Sequence, residues 1–340
     1  QMKKRILTGI TTTGTPHIGN YLGAIKPALE LVKDYDESFY FLADYHAIIK
    51  NSKSTEVTDS VKNVALAWLS SGLNPTKSFF YRQSDVPEIL ELSWILNCVT
   101  AKGLMNRSHA YKSATNLNNE DEDKGITMGL FSYPILMAAD ILMFNATHVP
   151  VGADQIQHIE MTRDIAGKFN HLYGKTFILP EAIIQSSKET VPGIDGQKMS
   201  KSYGNIIPLL STEKQLKKSI AKIVTNSLEP GDPKDSSNCT LFALYKYFAS
   251  KPMVEELNDD YKNGISWGDA KNKLFEVVNN EITPIRESYE KLQEDKDFIN
   301  DLLSDGSNKV RPIAKELLES IRSSVGIDKI SNVFCCLWTL

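Results

Sequence analysis

Apolar runs of strand length alternate with stretches of helical periodicity over the first part of this chain, and the alternation then stops. Residues 5–9 are a short β-type run that leads into Ile10-Thr11-Thr12-Thr13-Gly14. Pro16 and Gly19 punctuate the turn that follows, and Asn20 can cap a helix running to about Lys33. Phe39-Tyr40-Phe41-Leu42-Ala43 predicts a second strand over residues 38–44, with the polar Asp44-Tyr45-His46 at its C-terminal end. Val57, Val61, Val64, Ala65 and Trp68 share one face of a helix over residues 55–71. A third strand is expected at 78–82, and Ser84-Asp85-Val86-Pro87 then opens a helix with a cap and an early proline.

Residues 114–124, rich in Asn, Asp and Glu, predict a solvated, mobile loop. The strongly apolar residues 126–144 form a helix that places Tyr133, Met137 and Asp140 at i, i+4 and i+7, on one face. Residues 147–151 make a central strand, which Gly152-Ala153-Asp154-Gln155 turns into a further helix with Asp154 at its N-cap. Residues 182–185 are the last core strand. Strands alternating with helices imply a parallel sheet. After about residue 208 strand signals disappear and helices are expected at 212–224, 240–248, 267–292 and 310–325. The division is therefore an α/β domain over 1–208, a helical domain over 209–328, and an apolar tail over 329–340. No internal repeat is evident.

Composition narrows the classes. A length of 340 residues with 41% hydrophobic positions suits a large domain plus a smaller one. A formal net charge of −4 argues against a generic nucleic-acid coat, so any such contact must use local basic patches. Cys98, Cys239, Cys335 and Cys336 lack metal-ligand spacing and make a poor disulfide framework, which fits a reducing cytoplasm. No apolar run is long enough to cross a bilayer, and Gln1-Met2-Lys3-Lys4-Arg5 is followed by too short an apolar segment for a signal peptide. Gln1, which stands before Met2, is left out of the fold argument.

Candidate chemistry concentrates at strand-to-helix junctions and in one loop. Lys198-Met199-Ser200-Lys201-Ser202, flanked by Gly193, Gly196 and Gly204, offers two ammonium groups on a segment able to follow a polyphosphate. Alone, it fits a solvated surface loop as well. His17, Gly19 and Asn20 lie where a helix N-terminus can cradle a phosphate, or where a tight turn holds an incidental histidine. Gly152, Ala153 and Asp154 suit a nucleotide ribose, or an ordinary N-cap. Asp140 interrupts an apolar helix and needs a partner, either a structural donor or a ligand. His46, His148 and His158 form no recognisable metal set.

These motifs, in this order, resemble the bacterial-type tryptophanyl-tRNA synthetases, a family of class I aminoacyl-tRNA synthetases, up to about residue 327. The match runs from Thr8-Gly9 through Pro16-His17-Ile18-Gly19-Asn20-Tyr21-Leu22-Gly23-Ala24, the HIGN form of the HIGH signature. It continues with Asp44-Tyr45-His46-Ala47-Ile48, Met137-Ala138-Ala139-Asp140-Ile141-Leu142, Val149-Pro150-Val151-Gly152-Ala153-Asp154-Gln155 and the KMSKS loop. Thr11-Thr12-Thr13 stands where many members have Gln-Pro-Thr or Gln-Pro-Ser.

The resemblance implies a Rossmann-like catalytic domain, a helical anticodon-binding domain and a homodimer acting on tryptophan, ATP with Mg²⁺, and tRNA(Trp). It implies ATP contacts at Thr11, Thr12, Thr13, Gly19, Asn20, Gly152, Ala153, Asp154, Val191 and Lys198, Met199, Ser200, Lys201, Ser202, with Lys198, Lys201, His17 and Asn20 catalytic. Tryptophan is expected against Tyr133, Met137, Gln155 and His46, with Asp140 accepting the indole N–H. Tyrosyl-tRNA synthetase, which shares both signature loops, is the nearest rival.

Overall fold

Five short strands rich in β-branched and aromatic residues make one parallel sheet: β1 (Arg5–Ile10), β2 (Glu37–Leu42), β3 (Phe79–Arg82), β4 (His148–Val151) and β5 (Glu181–Ile184). Their order is β3-β2-β1-β4-β5, with Leu7 opposite Phe39 and Gly9 opposite Phe41. That order reverses direction between β1 and β4, and a crevice at such a reversal, beyond the C-terminal strand ends, is where ligands bind in open α/β sheets. The computed structural model describes residues 3–49, 53–118, 123–184, 190–295 and 297–328.

Strand residues alternate between two apolar clusters, as a period of two requires. Tyr40, Leu42 and Phe80 join one cluster, while Phe39, Phe41 and Tyr81 join the other. Helices of nine residues or more are numbered here in chain order. The second cluster is closed by α2 (Glu88–Val99), α3 (Met128–Leu142) and α4 (Ile156–Tyr173). The first is closed by α1 (Ser54–Ser70), whose Val61, Val64 and Trp68 face inward, and by helices from the later chain. These are α5 (Glu213–Ala221), α6 (Thr240–Phe248), α7 (Lys251–Lys262) and α8 (Trp267–Gln293).

The final helix, α9 (Phe298–Val325), belongs to both clusters. Ile299 and Leu303 sit in the first, and Val310, Ala314, Leu318 and Ile321 in the second. Between them α9 crosses β3 at Gly306, where a Cβ would lie 1.7 Å from the Phe80 carbonyl oxygen, so only glycine allows the crossing. Arg311 to Glu88 and Arg322 to Glu91 then pair α9 with α2.

Several expectations need correction. The helix after the first loop is capped by His17, not Asn20, and begins as Ile18–Asn20 before a π-helical turn, Tyr21–Ile25, and a further α-helical stretch, Lys26–Leu31. Asp154 caps nothing: a 3-10 turn, Ala153–Gln155, precedes α4, whose N-cap is Gln155. Part of the loop expected at 114–124 is helical, His109–Asn116, and residues 119–122 lie outside the described residues. So do Gln185, at the expected end of the last strand, and the tail from residue 329. Helix α7 was not expected, and α9 starts twelve residues before the expected 310 and runs through both Gly306 and Pro312.

Candidate active site

The loop after β1 and the lysine loop are stitched into one wall. His17 Nδ1 accepts from the Asn20 N–H at 3.3 Å and the His17 N–H donates to Asn20 Oδ1 at 3.0 Å, a reciprocal cap that fixes the helix start. On either side, the Ile18 N–H donates to the Ile207 carbonyl at 2.9 Å and the Leu209 N–H to the Pro16 carbonyl at 3.2 Å. The strand-like stretch just after the lysine loop is thereby tied to the HIGN turn. Gly19 donates to Met199 Sδ at 3.2 Å, and a Cβ on Gly19 would come within 3.0 Å of the His17 ring. Burial, together with the nearby Lys201 charge, pulls His17 down to about 4, so its ring is neutral at working pH.

Asn205, buried and not singled out from sequence, organises the lysine loop. Its Oδ1 accepts from the Ser200 N–H at 2.8 Å, while its Nδ2 donates to the Lys198 carbonyl at 3.0 Å and to Asp195 Oδ1 at 2.7 Å. Its backbone carbonyl takes the Ile194 N–H at 3.0 Å. The Met199 N–H donates to the Val191 carbonyl at 2.9 Å, which closes the loop's base. Gly196 and Gly204 adopt φ of 85° and 65°, a region that disfavours side chains. From this frame Lys201 Nζ reaches the Thr13 carbonyl at 2.8 Å, across the mouth of the β1 loop.

Two cavities share Gly23 as a lining residue. One, of about 520 Å³, is lined by His17, Gly19, Asn20, Val191, Lys198 and Ser200 among others. The second, of about 630 Å³, lies over the strand ends and is lined by Thr11, Thr13, His46, Tyr133, Met137 and Gln155, with Gly9, Val149 and Gly152 at its floor and rim. The first has the donors and cation of a phosphate site, and the second the aromatic and apolar walls of a ring pocket.

Asp140 lies behind this second wall, fully buried. Gln83 Nε2 donates to both its oxygens at 2.9 Å, and His46 Nε2 meets Oδ2 at 2.9 Å. Gln83 is itself oriented by the Tyr45 N–H, which donates to its Oε1 at 3.1 Å. Burial raises the Asp140 carboxyl above the usual range, and the His46 and Gln83 contacts pull it part of the way back. The partner that sequence demanded for Asp140 is thus an amide and an imidazole, and the imidazole lines the cavity.

Most of the residues singled out from sequence converge here, with exceptions. Thr12 is fully buried and lines neither cavity. Met199 is buried as well, its sulfur turned onto Gly19. Ala153 and Asp154 are exposed just outside the second cavity, next to Gly152, and Ser202 lies on the lysine loop's outer turn. Asn205 and Gln83 lie outside the quoted motifs yet hold motif residues in place, Asn205 through Lys198 and Ser200 and Gln83 through Tyr45 and Asp140, contacts that only the folded chain brings together. Among the described residues no group of three or more His, Cys, Asp or Glu side chains could hold a metal ion.

A doubly wound sheet carrying a HIGN helix start and a KMSKS loop at its switch point defines a class I aminoacyl-tRNA synthetase. The family model for class I tRNA synthetases of the tryptophan and tyrosine type matches residues 1–283. The chain is 53% identical over 333 residues to the tryptophan–tRNA ligase of Pseudomonas aeruginosa, covering 96% of this chain and 74% of that one. It is 52% identical over 330 residues to that of Neisseria meningitidis, covering 96% and 98%. A crystal structure of tryptophanyl-tRNA synthetase from Campylobacter jejuni complexed with ADP and tryptophan superposes with a TM-score of 0.87 at 43% identity, covering 95% of this chain and 99% of that one. The chain belongs to the tryptophanyl-tRNA synthetases, bacterial type.

Proposed function

We propose that this chain joins tryptophan to tRNA(Trp) in two steps at the paired cavities, the observation that carries the reading being that a phosphate-type site and a ring pocket share Gly23 as a lining residue. In the first step the tryptophan carboxylate attacks the α-phosphate of ATP, the bond to the β-phosphate breaks, and pyrophosphate leaves with the electron pair. The carboxylate is already ionised at neutral pH, so no general base is required. Catalysis comes from holding the reactants in line and from neutralising charge on the departing pyrophosphate.

His17, Gly19 and Asn20 cradle the phosphates, while Lys198 and Lys201 follow the charge as it moves. Ser200 and Ser202 add hydroxyl donors, and the backbone at Val191 borders the adenine side. Gly152, Ala153 and Asp154 face the ribose, and Thr11 and Thr13 line the second cavity. Mg²⁺ enters with the ATP phosphates and adds positive charge there; among the described residues no carboxylate lines the first cavity, in keeping with an ion held by phosphate and water. Met137, Tyr133, Gln155 and His46 surround tryptophan, and Asp140, through the oxygen next to His46, accepts the indole N–H. The second step transfers tryptophan to the 3′ end of tRNA(Trp). Residues 209–328 read the anticodon, a role supported by the exposed Lys214, Lys218 and Lys222 on and just after α5.

ATP–pyrophosphate exchange run over the amino acids tests the reading. Exchange dependent on tryptophan is expected, and exchange that prefers tyrosine would overturn it. No helix among the described residues is long and apolar enough to cross a membrane. Cys98 and Cys239 are free thiols, which suits the cytoplasm.

A homodimer is supported by α2. Its N-cap Pro87 and its exposed positions Leu90, Trp94 and Cys98 follow helical spacing and are all uncharged, with Trp94 70% exposed. A solvent-facing stripe is normally polar, so this one fits a second copy meeting it about a twofold axis. Trp94→Glu is expected to yield monomers in sedimentation at concentrations where the wild type is dimeric, with tryptophan still bound. A variant that stays dimeric would place the interface elsewhere.

A further inference from the structure

Tyr133 stands between two imidazoles. Its ring lies 6.3 Å from that of His46 and 5.3 Å from that of His158. His46 lines the cavity, whereas His158 is buried behind it on α4, with Nε2 2.5 Å from the Tyr133 hydroxyl oxygen. Nothing in the reaction derived above uses His158.

The cavity itself poses a problem that this pair answers. An amino acid carries an α-ammonium, yet no Asp or Glu among the described residues lines the cavity. The cation must therefore be met by neutral oxygens with their lone pairs turned inward. A tyrosine hydroxyl can do this only if its one proton is directed elsewhere, since an O–H turned into the cavity would repel the ammonium.

His158 supplies that direction. Burial lowers its pKa, so the ring is neutral and carries a single proton. A further polar neighbour of the ring is the Gln155 backbone carbonyl, which can only accept, and the buried Nδ1 makes no full hydrogen bond. The proton facing that carbonyl leaves Nε2 as an acceptor. The Tyr133 O–H is then the donor in the pair.

We propose that His158 is a positioning residue: its Nε2 takes the Tyr133 hydroxyl proton, so that the Tyr133 oxygen meets the α-ammonium of the amino acid as an acceptor. Position 158 thus acts on one functional group of the ligand, with no contact to the indole or the carboxylate. The inference rests on the tryptophan reading of this cavity.

Three ligands separate the functional groups: tryptophan, tryptamine, which keeps the ammonium and lacks the carboxylate, and indole-3-propionate, which lacks the ammonium. In His158→Leu the KM for tryptophan in pyrophosphate exchange rises roughly tenfold or more, with kcat changed far less. The dissociation constants of tryptophan and tryptamine rise together, while that of indole-3-propionate stays within about twofold. His158→Gln, whose side-chain oxygen can accept the same proton, restores most of the loss. Equal weakening of all three ligands, or of none, overturns the inference. If His158→Leu does not fold, Tyr133→Phe must show the ammonium-selective loss and His158→Gln must bind tryptophan as the wild type does; failure of either overturns it. Wild-type protein lacking tryptophan-dependent exchange would instead overturn the reading of the site, and the inference with it.

Discussion

Replacing Lys201 by alanine is expected to slow tryptophan-dependent pyrophosphate exchange by about 10²- to 10³-fold while tryptophan affinity stays within about twofold. Lys201 Nζ spans from the lysine loop to the Thr13 carbonyl and lines neither the ring pocket nor its floor. Lys201 lines neither cavity itself, but its partner Thr13 lines the second and its loop neighbours Lys198 and Ser200 line the first. A cation there stabilises charge that exists only as pyrophosphate departs, and such an interaction lowers the barrier without strengthening ground-state binding. The neighbouring structure should survive, since the loop is organised by Asn205 and by the Met199 to Val191 bond, neither of which uses the Lys201 side chain. Stopped-flow exchange and equilibrium binding of tryptophan make the comparison. A loss of tryptophan affinity as large as the loss of rate would show that Lys201 shapes the amino-acid pocket instead.

Asp140→Asn is expected to lower kcat/KM for tryptophan by about 10²-fold or more, because a site built around a buried acceptor discriminates by that acceptor. The same change should reduce stability by only about 1–3 kcal/mol, the range for a disturbed buried hydrogen bond. Both Asp140 oxygens accept from Gln83 Nε2, and Gln83 is locked by the Tyr45 N–H on its other amide atom. An asparagine would set its NH₂ against a donor or force Gln83 to turn and abandon Tyr45. His46, which meets Oδ2, would lose the partner that holds its ring at the cavity wall. Kinetics indistinguishable from wild type would remove Asp140 from the selection of tryptophan and leave it a purely structural carboxylate.

Much of this was legible in the residues. The sheet followed from short β-type runs separated by helical periodicity, and Thr240–Phe248 begins and ends where its pattern does. Tyr133 and Met137 emerge on the ring pocket because i and i+4 share a helix face, while Asp140, one turn further, stays buried and is linked to the pocket wall through His46. What failed has physical causes. Asn20 looked like a cap by residue type, but a histidine nitrogen accepts equally well three residues earlier. Thr12 resembled its neighbours and turned inward, since alternate residues of an extended loop face opposite ways. Asn205 and Gln83 are single amides whose partners lie on other segments or on the backbone, so no periodicity marks them. The first turns of α9, before residue 310, were missed, and the helix runs through Gly306 and Pro312, which local propensity disfavours, because tertiary contacts hold it together.

The course of α9 bears on how the chain folds as it leaves the ribosome. Strand β3 ends the sheet, and an uncovered edge offers its backbone groups to any other strand nearby. That edge, and apolar residues of both faces beside it, are covered by Phe298–Val325. During synthesis the sheet therefore carries a bare rim until the last long helix has emerged, even though every strand was complete more than a hundred residues earlier. Nascent chains stalled before residue 298 are expected to aggregate more readily than chains released after residue 325.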